Sequence, residues 1–484
     1  MQFNSYIFIL LYLPFLIIAY FGANKISHTL GKVCLMLGSA FFYFYGGWKN
    51  AILLILSVFI NYTLVMLVEK AQKTGVRKIL LSINILINVG FLFYYKYFNF
   101  CLRNLNEIFS EEFTIKEIIL PLGISFYTFQ QLMYAINMYR GNIEKANLLD
   151  YLTYILYFPK ILMGPLVEPG ELINQFNRDD LKRVNWDNLS YGLKIFSFGL
   201  FKKLVFADTF ATAVSWAYTN FDAATSMDWF LVMLFYTFEI YFDFSGYSDM
   251  AIGVSKMLNI SLPMNFDSPY KALSIRDFWK RWHISLTGYF TRYIYIPLGG
   301  SKMGMVRTCV NTLIVFLISG IWHGANWTFI LWGVLHGILS VVGRILESHE
   351  KKMFFVVKWM VTFLAVNVLW LLFRSSTIVQ WTSILMKMFS FNDMGISAGL
   401  INSFLLPEIS YVFEILHMNI LGVPASGISL LLFTVSAFAV CLVPENNYKK
   451  LEKNSGLTMV MAAIAFIWSF LCLSSESVFV YFGF

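Results

Sequence analysis

Apolar runs about 20 residues long recur along almost the whole of this chain. A helix of that length crosses roughly 30 Å of hydrocarbon, so each run is a candidate span. Inside a bilayer every backbone amide must be satisfied within its own segment, so the runs predict helices and exclude open sheets. They fall near residues 5–22, 33–47, 51–68, 78–96, 118–138, 189–206, 228–244, 308–321, 325–346, 354–373, 428–443 and 457–473. The runs are unequally apolar, and about 11 true crossings are expected. Charged residues make up 13% of the chain, against roughly 25% in a soluble domain. The expected fold is all-α: a polytopic membrane protein of one domain, residues 1–484, with re-entrant or interfacial helices between its spans.

Charge placement predicts the orientation. The loop after the first run carries Lys25 and Lys32, and the third loop carries Lys70, Lys73, Arg77 and Lys78. The fourth is acidic, with Glu107, Glu111, Glu112 and Glu117 against Arg103 and Lys116. The positive-inside rule then puts the N-terminus outside and the first and third loops in the cytoplasm. The first run lacks a basic leader and a small-residue cleavage site, so it is expected to remain as a span. Five scattered cysteines form no Cys-x-x-Cys pair and read as buried free thiols, with no metal site.

Two stretches break the helical pattern. Pro159, Gly164 and Pro165 argue against a clean span between Tyr151 and Trp186, and predict a re-entrant or interfacial segment. From Asp243 to Arg307 the polar residues are densest. Lys256, Lys271, Arg276, Lys280, Arg281, Arg292, Lys302 and Arg307 stand against Asp267 and Asp277. Aromatics interleave with these bases in Phe278-Trp279-Lys280-Arg281-Trp282-His283, the pattern of amphipathic helices at an inner membrane surface. Three occupants suit it: anionic lipid headgroups, the interface alone, or a phosphate-rich molecule such as coenzyme A, whose adenine an aromatic face can stack. No Walker A loop, Rossmann glycine fingerprint or HExxH motif supports an ATPase, a dehydrogenase or a zincin.

Histidine suits proton transfer near neutral pH, and an ionisable side chain between apolar runs is a functional candidate. His323, in Gly320-Ile321-Trp322-His323-Gly324-Ala325-Asn326, is flanked by such runs. Gly320 and Gly324 leave room for a substrate or for another helix. The competing reading is a core histidine hydrogen-bonded between helices. His283 is either a second catalytic group or an interfacial ring with a wet tip. His336 lies 13 residues after His323, about 3.6 turns on one continuous helix, so the two rings should point apart and His336 reads as structural. His28, His349 and His417 fall in loops or at span ends and receive no role. Glu239 and Asp243 share a helix face, with Asp249 nearby. They read as a polar network locking the bundle, with Arg276, Lys280 and Arg281 as expected partners.

Four ordered motifs resemble the membrane-bound O-acyltransferase family in its bacterial alginate O-acetylase branch. They are Tyr241-Phe242-Asp243-Phe244-Ser245-Gly246-Tyr247-Ser248-Asp249, Phe278 to Leu286, Tyr295-Ile296-Pro297-Leu298-Gly299-Gly300, and Gly320 to Ala325. The ending Val478 to Phe484 is similar as well. The resemblance covers nearly the whole chain and is strongest from about residue 120 to 340, with C-terminal helices over 354–484. It implies a tilted bundle around a central tunnel, with His323 as the essential histidine and His283 as its motif partner. It further implies cytoplasmic acetyl-CoA as co-substrate, no resident cofactor, and a multi-pass place in the bacterial inner membrane. The acetyl group would end on an exported cell-surface polysaccharide, delivered through an extracytoplasmic partner transferase of the SGNH type. Membrane lipid is an expected contact and nucleic acid is not. On this reading Lys280, Arg281 and Arg292 sit near the phosphates of acyl-CoA, and Trp279 or Trp282 near its adenine. One departure is Val167-Glu168-Pro169, where the branch usually carries a basic or aromatic pair; it bears on the acceptor or partner. The alternative from another class is a transporter or flippase for a lipid-linked saccharide, which broken helices and buried carboxylates also fit.

Overall fold

In a computed structural model, the described residues are 1–110, 112–347, 353–406, 410–411, 414–415, 425–445, 451, 455–473 and 479. His349, His417 and the Val478–Phe484 ending, Phe479 excepted, lie outside them. Among the described residues the regular elements are helices, with one isolated antiparallel bridge between Phe266 and Trp282. They gather into two compact units. One comprises Met1–Phe198, Tyr247–Met264 and Leu451–Ile464; the other comprises Gly199–Gly246, Asn265–Lys450 and Ala465–Phe484.

Among the described residues, seven helices are long and apolar enough to cross a membrane: Ile7–Ile26, Trp48–Lys70, Thr74–Phe109, Gly304–His323, Trp327–Ile345, Phe355–Arg374 and Ala425–Leu442. The chain is thus an all-helical, multi-pass membrane protein. The other expected crossings also form helices, but shorter or more polar ones. His28–Phe44 and Ile124–Arg140 have 17 residues each, and Gly456–Leu471 has 16. Ser226–Met257 runs for 32 residues but carries Asp228, Glu239, Asp243, Asp249 and Lys256.

In the first unit, three buried asparagines on two spans bond to one another. Asn61 Oδ1 accepts from Asn84 at 2.9 Å and from Asn88 at 2.6 Å, joining two spans where no water competes. The proline-marked stretch breaks the helix, as Pro159 and Pro165 predict. Helix Leu148–Leu156 stops, a four-residue turn Phe158–Ile161 follows, and irregular backbone leads to Pro169–Asn177. Lys160 is fully buried there; its ammonium donates to Gln130 Oε1 and lies 3.9 Å from the centre of the Tyr154 ring.

The second unit carries the motif histidines. Its central feature is a helical hairpin, Gly304–His323 against Trp327–Ile345. Close backbone contact requires glycine at the crossing. A Cβ on Gly320 would lie 2.4 Å from the Phe329 carbonyl oxygen, and one on Gly333 would lie 2.4 Å from that of Phe316. The helices run antiparallel, as these pairings show.

Candidate active site

His323 is the last residue of its helix. Gly324 is extended (φ −170°, ψ 157°), and Asn326 caps the next helix, its side chain accepting from the Thr328 N–H at 3.0 Å. Asn326 Nδ2 also donates to the Ser376 carbonyl at 2.9 Å. The apolar runs flanking His323 are therefore two helices, and the imidazole sits at the turn joining them. A helix of 20 residues spans about 30 Å, so His323 lies at one end of a membrane-length helix, where the sequence suggested mid-run. The glycines admit the neighbouring helix. Gly320 meets Gly333, and a Cβ on Gly324 would strike the Phe329 ring at 2.2 Å.

Aromatic rings wall in this imidazole. His323 is buried, with ring centroids 4.9 Å from Trp322, 5.1 Å from Trp332 and 5.3 Å from Phe373. His336 also packs on Trp332, at 4.7 Å. The expectation that His323 and His336 point apart is thereby corrected. It assumed one continuous helix, whereas the chain turns back at Gly324–Asn326, and the two imidazoles share one indole.

His283 joins helix Ile275–Arg281 to helix Ile284–Phe290 with a left-handed backbone, φ 45° and ψ 53°. A non-glycine residue pays steric strain in that region, so its neighbours must hold it there. They do: the Asp267 N–H donates to the Arg281 carbonyl, the Ile284 N–H to that of Asn265, both at 3.0 Å, and Ser285 Oγ to Asn265 Oδ1 at 2.7 Å. The ring is 1% exposed, 4.7 Å from Phe244 and 6.4 Å from Trp322. Neither ring nitrogen has a hydrogen-bond partner among the described residues. Each buried polar atom left so costs about 1–3 kcal/mol. The structure thus brings His283 and His323 to the same indole, Trp322.

Burial pushes the His283 imidazole down to about 3. Its folded value lies below the unfolded one, near 6.5. Between those values the unfolded chain takes up a proton that the folded chain refuses, so stability falls as pH drops through that window. His283→Asn should flatten the dependence: its melting temperature in detergent should fall less than wild type's between pH 7 and pH 4.5. Equal falls would show that burial of this ring does not set the sensitivity.

The basic-aromatic stretch divides into lining and scaffold. A cavity of about 250 Å³ is lined by Trp279, Lys280, Arg276 and Arg344, with Ser319 and Phe316 from the His323 helix among the others. Lys280 is exposed and Trp279 buried. Arg276 pairs with Glu347 at 3.0 Å. Arg281 and Trp282, expected near the donor, stand outside this lining. Arg281 is held by Asp277 at 2.9 Å and donates to the Asp267 carbonyl at 3.3 Å. Trp282 is 1% exposed, stacked 5.5 Å from Phe278 and 4.9 Å from Trp370. Both residues build the left-handed corner at His283, and neither lines the cavity. Arg292 is exposed and lies outside the lining. Arg344 carries no motif, and only the hairpin's return path brings it here.

The carboxylates also find an unexpected partner. Lys203 Nζ pairs with Asp243 at 2.7 Å and Asp208 at 2.8 Å. The named bases Arg276 and Arg281 are engaged with Glu347 and Asp277 instead. The signal for Lys203 was a lysine inside the apolar run 189–206, which at such depth requires a counter-charge. Asp249 belongs to the other unit.

Comparison with known proteins gives a consistent set of likenesses. The sequence model of the membrane-bound O-acyltransferase family matches residues 40–384. The chain is 34% identical to a peptidoglycan O-acetyltransferase of Helicobacter pylori, over 100% of this chain and 97% of that protein. It is 36% identical to a probable alginate O-acetylase of Pseudomonas putida, over 82% of each. A teichoic acid D-alanyltransferase of Streptococcus thermophilus is 30% identical over 46% of this chain and 56% of its own.

Proposed function

The chain belongs to the membrane-bound O-acyltransferase family, and from that premise we propose that it takes an acetyl group from cytoplasmic acetyl-CoA and passes it toward hydroxyls of an exported polysaccharide, peptidoglycan foremost. The observation that carries the reading is the convergence of His323 and His283 on Trp322, on the unit that holds a base-rimmed cavity. Full-length likeness to a peptidoglycan O-acetyltransferase supports the choice of acceptor.

The chemistry follows from the residues. Lys280, Arg276 and Arg344 offer positive charge to the phosphates of the donor, and the Trp279 indole offers a face to adenine. Arg292 supplies a further charge outside the cavity. The His323 imidazole takes the proton of the acceptor hydroxyl as its oxygen attacks the thioester carbonyl. The tetrahedral adduct collapses, the carbon–sulfur bond breaks, and the coenzyme A thiolate leaves with a proton returned from His323. His283, neutral because burial holds its value near 3, acts as a hydrogen-bonding group that orients the carbonyl and carries no charge. The aromatic wall excludes water, which would hydrolyse the thioester. An SGNH-type extracytoplasmic partner completes delivery, and the bacterial inner membrane is the site of action.

Deleting the gene should remove alkali-labile acetate from the cell-wall polysaccharide, and the wild-type chain should restore it. Unchanged wall acetate would sink the reading. The division of the basic stretch gives a finer test. Lys280→Ala should raise the KM for acetyl-CoA by about tenfold, the effect of losing one charge-assisted contact. Arg281→Ala should lower the melting temperature and change KM little. The reverse pattern would return Arg281 to the donor site.

A further inference from the structure

The hydrogen bond between Trp279 and His336 ties the donor cavity to the hairpin. Trp279 Nε1 donates to His336 Nδ1 at 3.2 Å, with the two ring centroids 5.0 Å apart. His336 is fully buried on Trp327–Ile345, and its ring also meets Trp332 at 4.7 Å, Phe316, stacked at 6.2 Å, and Trp370 at 6.5 Å. Trp279 itself packs against Trp332 at 5.6 Å, and Trp332 against His323 at 5.1 Å. One indole, Trp332, therefore touches the wall of the cavity, the ring that holds that wall, and the imidazole at the turn.

We infer that His336 is a positioning residue: it fixes the Trp279 indole as the wall of the acyl-donor cavity, and so sets where the donor lies relative to His323. The inference rests on the proposed donor reading. An indole has one polar atom, its N–H, and a buried N–H without an acceptor is costly. Trp279 sits on a seven-residue helix, Ile275–Arg281. His336 sits on the 19-residue helix of the glycine-locked hairpin, Trp327–Ile345. The bond thus fastens a short element to the long one that packs against the His323 helix. An imidazole accepting at Nδ1 carries its proton on Nε2, and His336 Nε2 has no partner among the described residues. Only Nδ1 is engaged in holding the wall.

Asparagine places its side-chain oxygen close to the position of histidine Nδ1, and this makes the test specific. The full chain in detergent is titrated with acetyl-CoA, and thiol release is measured over the same range. His336→Ala should weaken acetyl-CoA binding by about threefold to tenfold, the effect of one lost hydrogen bond. Its KM should rise more than its kcat falls. His336→Asn should bind within about twofold of wild type, because it keeps the acceptor. Trp279→Phe should weaken binding to the same extent as His336→Ala, and the double variant should be no weaker than either single one.

Wild-type binding by His336→Ala, or additive losses in the double variant, would overturn the inference. So would His336→Asn as weak as His336→Ala in protein that melts normally. A wild-type chain that binds no acetyl-CoA would overturn the donor reading itself, and with it this extension.

Discussion

Replacing His323 by Ala should lower acetyl transfer by about 10²–10⁴-fold, the share that a positioned general base contributes, with the protein still at wild-type level in the membrane. The ring is enclosed by Trp322, Trp332 and Phe373, so alanine also removes packing. His323→Gln separates the two effects. It keeps most of the volume and its hydrogen-bonding atoms, but it cannot take a proton near neutral pH. Both variants should be equally inactive in thiol release and in restoring alkali-labile wall acetate, and Gln should melt closer to wild type. Acetylation at the wild-type rate by His323→Gln would remove this imidazole from the chemistry.

Gly320→Ala should force apart the hairpin that carries His323. The added carbon would lie 2.4 Å from the Phe329 carbonyl oxygen and 3.1 Å from Gly333 Cα. Both are backbone, so neither can rotate away, and the helices must part. Overpacking of this kind costs about 1–3 kcal/mol. Activity should suffer more than stability, because the crossing sets the spacing of His323 from Trp332, and a misplacement of about 1 Å in a reacting geometry costs about 10²-fold. Gly22→Ala is the matched control. A Cβ there meets nothing within 4 Å, and alanine is the better helix former. Comparing the two variants for melting temperature and thiol release decides the point. Equal, mild effects would mean that the hairpin crossing does not set the site.

The sequence carried the helical class, the breaks at Pro159 and Pro165, and the family that the four motifs mark, because each depends on local chemistry. The site's wiring depends on where the chain turns back, and that was harder to read. Counting 13 residues from His323 to His336 along one helix separated two rings that in fact share Trp332. Gly324 followed by Asn326 was the available clue, since asparagine is a strong N-cap and announces a new helix. Trp282 and Arg281 read as binding groups because bases and rings alternate there. The left-handed corner at His283 turns one into the core and pairs the other with Asp277. Lys203 escaped notice as the partner of Asp243 because 40 residues separate them, and only tertiary packing joins them. Expected crossings such as 118–138 fell short in hydropathy because Gln130, Gln131 and Asn137 face into their unit and bond there.

The interlocked glycines have a genealogical consequence. Gly320 and Gly333 meet across a turn whose length is set by Asn326 and its tie to Ser376. A codon gained or lost inside either helix between them would shift one partner by about 100° around its helix, out of the crossing. Substitutions on the outer face of the hairpin can accumulate freely, whereas indels within it should be confined to copies that have lost catalysis. In a genome survey, the distance between these two glycines would then sort working enzymes from decaying ones.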